Sequence, residues 1–177
     1  MPLIQPKGHS SMKPIMPVSL YLVMAAVFVT LALPGPVTAK EQVPFKGSVQ
    51  GREIDLFQGP PPGTLAVNGS GTGLATHLGQ LTVTWNLTVN LADGSATGHF
   101  QFIAANGDVI FTTIVGQGEP TDTPGINRIV EINTITGGTG RFAGAKGSFT
   151  LERLVDLTTG LTSGSFHGTI TSPGAAH

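Results

Sequence analysis

Glu131, Asn133 and Arg153 are the residues in this chain whose chemistry most needs explaining. Each sits in an alternating series that is otherwise apolar. Ile129, Glu131, Asn133 and Ile135 form one such series, and Phe149, Leu151, Arg153 and Val155 form the other. A period of two puts these residues on one face of a strand, so a carboxylate, an amide and a guanidinium share a face with Phe, Leu and Ile. Buried charge is strongly unfavourable unless it is paired. Setting Glu131 opposite Arg153 supplies the pair, with Ile129 opposite Val155 and Ile135 opposite Phe149. Two roles are then open. The cluster binds or polarises a ligand's carboxylate or carbonyl inside the fold, or it is a structural ion pair closing one end.

The segment between these two series, Ile135 to Ala145 (ITGGTGRFAGA), carries G-x-G-x-x-A at Gly138, Gly140 and Ala143. In a dinucleotide fold a helix starts within such a turn and offers its N-terminus to the pyrophosphate. Here Gly147 to Leu157 alternates like a strand, and Lys146 is followed by Gly147 rather than by the Ser or Thr that follows the lysine of a P-loop. The glycines therefore read as a corner between strands. His77, His99 and His167 show no ligand spacing, and there is neither a cysteine nor a G-x-S-x-G elbow. No metal and no cofactor are expected, and the balance is against an enzyme.

The elements that must position the cluster are strands. Leu81 to Leu91 alternates strictly, and Asp93-Gly94, Asn106-Gly107 and Thr159-Gly160 read as two-residue hairpin turns. On those turns Leu87 faces Phe100, Trp85 faces Phe102, Val83 faces Ala104, and Phe111 lies beside Phe102. At the C-terminus Phe149 faces Ile170, Leu151 faces Gly168, Arg153 faces Phe166 and Val155 faces Gly164. Further strands are expected at Val43–Phe57, Thr64–Leu78 and Ile126–Ile135. The fold class is all-β, an eight-stranded antiparallel meander closing into a barrel. Trp85, Phe100, Phe102, Phe111 and Phe166 would line its interior, with Arg153 at one end. On the same registers His167 faces Glu152, His99 lies near Thr88 and Ile114, and Ile103 pairs with Ile110 on the outer face. The proline-rich Gln58–Gly63 and the stretch Gly116–Gly125 read as connections at the barrel mouth. Asn68-Gly-Ser70 and Asn86-Leu-Thr88 match glycosylation acceptors, read here as coincidence.

Residues 1–39 have the layout of a bacterial-type secretory signal peptide: Lys7 and Lys13, the uncharged run Val18–Leu33, a Pro-Gly-Pro break, and small residues before Lys40. Cleavage would leave residues 40–177 as one secreted domain without a stable membrane anchor. That stretch holds seven basic residues against ten acidic ones, a balance that argues against nucleic acid.

The corner GGTGRFAGAKG (Gly137–Gly147) resembles plant dirigent proteins and the wider allene oxide cyclase barrel-like superfamily. Gly73-Leu-Ala-Thr-His77-Leu-Gly79 and the tail FTLERLVDLTTGLTSGSFHGTI resemble small secreted bacterial members of that group. The resemblance spans Leu65 to Ile170. It implies an eight-stranded antiparallel barrel, often a homotrimer, whose named relatives cyclise a fatty-acid epoxide or steer phenoxy-radical coupling in an apolar barrel mouth. None of their catalytic residues is carried over. Three functions follow: a binder of a small apolar molecule, a barrel isomerase or cyclase of that type, and a structural envelope-associated barrel with a packed interior. Outward-facing apolar residues favour a homo-oligomer.

Overall fold

The computed structural model describes residues 41–59, 61–171 and 173, and the segment read as a signal peptide lies outside them. Eight antiparallel strands follow one another around a closed barrel. They are β1 (Gln42–Gly59), β2 (Thr64–Ala75), β3 (Gly79–Asn90), β4 (Ser95–Ala104), β5 (Val109–Pro120), β6 (Ile126–Gly138), β7 (Gly147–Asp156) and β8 (Leu161–Thr171). β8 closes on β1, from Gln42 opposite Thr171 to Arg52 opposite Leu161. The expected class and strand count hold.

Alternation decides what faces inward. Trp85 stacks on Phe100 with ring centroids 5.6 Å apart, and Phe100 stacks on Phe102 at 5.8 Å. Phe102, Phe149, Phe166 and Phe45 continue the cluster through edge-on and tilted contacts. Each pair contributes about 0.5–1.5 kcal/mol beyond its area burial. The space for these rings comes from β2, whose inner face carries Gly69, Gly71 and Gly73. A Cβ at Gly69 would overlap the Trp85 indole, and one at Gly71 would overlap the Gln50 carbonyl oxygen.

Three hairpin turns are longer than two residues, and their lengths correct the expected registers. Before β4 the loop is Leu91–Gly94, closed by Gly94 N–H donating to Asn90 O at 2.9 Å. The side chains of Asn90 and Asp93 accept backbone N–H bonds within it, an arrangement that competes with a tight turn. Trp85 therefore faces Phe100 and Val83 faces Phe102. Likewise Asp156 accepts from the N–H groups of Thr158 and Thr159. The β7–β8 loop becomes Leu157–Gly160, and Arg153 faces Gly164, Leu151 faces Phe166, Phe149 faces Gly168 and Val155 faces Thr162. Both shifts are by two residues, so every side chain keeps its expected face.

The third shift is by one. Ala104 N–H donates to Asp108 O at 2.8 Å around the three-residue loop Ala105–Gly107, with Gly107 at φ +88°. Phe102 then faces Ile110, and β5 is turned over relative to expectation. Phe111 points outward, 37% exposed, while Ile110, Thr112 and Ile114 point inward. The outward pair of Ile103 with Ile110 is therefore absent, and His99 lies between Asn86 and Thr113 rather than beside Ile114. His167 faces Thr150, and Glu152 faces Ser165. β5 continues to Pro120, so the mouth connection is the shorter 121–125.

The glycine corner after β6 holds a 3-10 turn, Gly140–Phe142. Gly140 has φ +53°, and a Cβ there would overlap the Asp108 carboxylate. Arg141 Nε donates to Asp108 Oδ2 at 2.9 Å, pinning the corner to the β4–β5 hairpin. Arg141, then Asn106, hold the Asp108 carboxyl below its ordinary range. The pin folds Phe142 and Ala145 inward, where with Leu78 they plug this end of the barrel.

Replacing Gly71 by Ala is expected to cost about 1–3 kcal/mol in urea unfolding, because a backbone oxygen must move. Gly137→Ala, with nothing within 4 Å of the added Cβ, should be close to neutral in the same measurement.

Candidate binding site at the open end of the barrel

The other end is built differently. Its hairpin loops carry Leu91 and Leu157 pointing out, and no large apolar side chain from them is buried among the described residues. The inward-facing Leu65, Val89 and Ile129 are only half-buried there. Below them lies the charged cluster.

Arg153 projects from β7 into the barrel. Its Nε and Nη2 donate to the two carboxylate oxygens of Glu131, each at 3.0 Å, in a bidentate pair across β6 and β7. Its Nη1 donates to Glu53 Oε1 at 2.9 Å and to Thr162 Oγ1 at 3.3 Å. The guanidinium carbon lies 5.7 Å from the Trp85 ring centroid. Burial opposes the charge on Arg153, but Glu131, and after it Glu53, outweigh that effect and raise its pKa. The guanidinium is thus permanently charged and already engaged by the chain's own carboxylates.

The expected partners Glu131 and Arg153 meet, although in register Arg153 faces Ile129 and Glu131 faces Leu151. They reach each other diagonally, within range of long side chains. Asn133 is buried one step deeper and faces Phe149. It accepts from Thr112 Oγ1 at 2.8 Å, and its amide nitrogen lies 3.5 Å from the Glu131 carbonyl oxygen, so it braces β6 without touching Arg153. Trp85 lies beside the guanidinium and stacks on Phe100, and Phe102 and Phe166 lie in the ring cluster. Phe111 is on the outer wall and takes no part.

Two members of the site were missed by sequence reasoning. Glu53 shares the inward series Phe45, Gly47, Val49, Gly51 on β1, a period-two signal available in the sequence. It sits where the β1–β2 register shifts, and such bulges re-aim side chains. Thr162 donates to Leu154 O at 2.9 Å while accepting from Arg153, a role that depends on the β7–β8 register.

The side chains of Glu131, Arg153 and Glu53 are 0%, 4% and 8% exposed, so Glu53 is the member nearest solvent. One buried polar side-chain atom among the described residues has no partner: the indole Nε1 of Trp85. Such an orphan donor costs about 1–3 kcal/mol. The charges of this half are unbalanced as well. Among the described side chains, Glu53, Asp93, Glu119, Asp122, Glu131, Glu152 and Asp156 stand against Arg52, Arg128 and Arg153. Three open clefts, of about 920, 630 and 300 Å³, run along the outer wall between outward-facing side chains such as Ser48, Gln50, Thr72 and Leu74, Lys46 and His167, and Arg128 and Glu152.

Arg153→Met should lower stability by about 3–5 kcal/mol, because Glu131 is left charged and buried. Adding Glu131→Gln should recover at least half of that loss in urea unfolding. A double variant as unstable as the single one would show that the pair is not what holds β6 to β7.

No known family profile matches the chain, and no curated protein matches it. Among solved structures, the pterocarpan synthase dirigent protein superposes with a TM-score of 0.54 at 13% identity, over 82% of this chain and 99% of that one. The likeness is one of fold: this chain is a dirigent-like eight-stranded barrel.

Proposed function

We propose that this chain is a binding barrel that takes a small, largely apolar molecule at its open end, against Trp85 and the Arg153–Glu131–Glu53 cluster. The observation that carries this reading is the unpartnered Trp85 Nε1–H, buried beside a charged cluster at the unplugged end. A polar head on the ligand would satisfy that donor, and its apolar body would rest on the half-buried Leu65, Val89 and Ile129. Because Glu131 already engages Arg153 in both of its oxygens, the cluster orients a ligand through Glu53 and Trp85 rather than through a bare guanidinium.

A barrel isomerase or cyclase in the manner of dirigent proteins is the alternative that the shared fold supports, with Glu53 as its acid–base group. A packed, structural barrel is the third reading, favoured by the ring cluster that fills the middle and by the position of the three clefts on the outer wall. The leader-like residues 1–39 support export from the cytoplasm. Val115 facing Ile132 on the outer wall, both more than half exposed, supports a second copy of the chain covering that face.

Trp85 is the sole tryptophan of the chain, so its fluorescence reports on the site directly. Titration with the uncharged probe 4-phenylbutanol should give a saturable change in that emission. A response that stays flat to millimolar probe would leave the packed barrel as the better reading.

A further inference from the structure

We infer that the open end is built for a positively charged apolar molecule, an amine with a hydrophobic body, and that Glu53 is its counter-ion. This rests on the binding reading above and adds the charge of the ligand.

The cluster sets two carboxylates against one guanidinium, so it carries a formal excess of one negative charge. Glu131 is sealed and holds Arg153 with both oxygens. Glu53 gives Oε1 to Arg153 and is the least buried of the three, its side chain 8% exposed, so it is the carboxylate an entering molecule meets first. A molecule entering therefore meets an acceptor with surplus negative charge, which favours an ammonium group and opposes a carboxylate.

The approach to the site carries the same preference. Five large apolar side chains stand around this end: Ile54, Phe57, Leu91, Leu157 and Leu161, each between 51% and 63% exposed. They come from β1, the Leu91–Gly94 turn and the β7–β8 hairpin, and among the described side chains this end holds seven carboxylates to three guanidinium groups. Asp93, in the β3–β4 turn, and Asp156, at the end of β7, have their carboxyl pKa values lowered by hydrogen bonds from Ser95 and Thr159. Low-dielectric walls with one sign of charge concentrate ions of the opposite sign. An apolar rim with acidic flanks is complementary to an amphiphilic cation.

The test is calorimetric titration of the full chain with three probes that share a body and differ in charge: 4-phenylbutylamine, 4-phenylbutanol and 4-phenylbutyrate. The amine should bind about tenfold or more tighter than the alcohol at low salt, with the carboxylate weakest. The gap between amine and alcohol should narrow as salt screens the mouth. Glu53→Gln, which keeps a hydrogen bond to Arg153, should bring the amine to the affinity of the alcohol. Alcohol binding as tight as amine binding, or a gap unmoved by both salt and Glu53→Gln, overturns the charge assignment and leaves the binding reading standing. Binding by none of the three probes overturns both.

Discussion

A guanidinium held inside a barrel of aromatic rings is tolerable only when its donors are met, and that constraint organises this molecule. Arg153 has to find Glu131 on the neighbouring strand, which fixes how β6 lies against β7. It also has to find Thr162 on β8 and Glu53 on β1, so four strands are committed to one side chain. Removing any of these partners leaves charge or a donor in a region where water does not compensate. The pair gives the barrel a specific register at the end where no hydrophobic plug does so.

The two ends solve the same closure problem in different ways. At one, the glycine corner is pinned by Asp108 and Arg141 and tucks Phe142, Ala145 and Leu78 into the core. This closure leaves no buried polar side chain without a partner among the described residues. At the other, closure is electrostatic, and among the described residues it leaves an indole N–H unmet. Between them the rings occupy the axis. The ligand site proposed above lies at the electrostatic end, above Trp85.

How much of this was legible in the sequence depended on parity. The turns around Asp93-Gly94 and Thr159-Gly160 are two residues longer than the dipeptides suggest, because Asn90, Asp93 and Asp156 build side-chain-capped loops. An even error leaves faces unchanged, so Trp85, Phe100, Phe102, Phe149, Phe166, Glu131 and Arg153 were read as inward although their partners were displaced. The Asn106-Gly107 turn is longer by a single residue, and that odd error turned Phe111 out and Ile110 in. Glu53 was visible as the end of an alternating series on β1, yet its place beside Arg153 depends on how β8 and β2 register against β1. Those pairings are long-range, and no local turn announces them. The G-x-G-x-x-A motif was correctly read as a corner because the chain after it alternates as a strand does.

Native mass spectrometry of the full chain, sprayed under gentle conditions and then collisionally activated, tests most directly whether the open end holds a small molecule. The account predicts a species heavier than the bare chain by a discrete small-molecule mass, lost on activation and absent after denaturation. A spectrum containing only the mass of the bare chain, or its whole-number multiples, would contradict it and identify the barrel as a packed structural one.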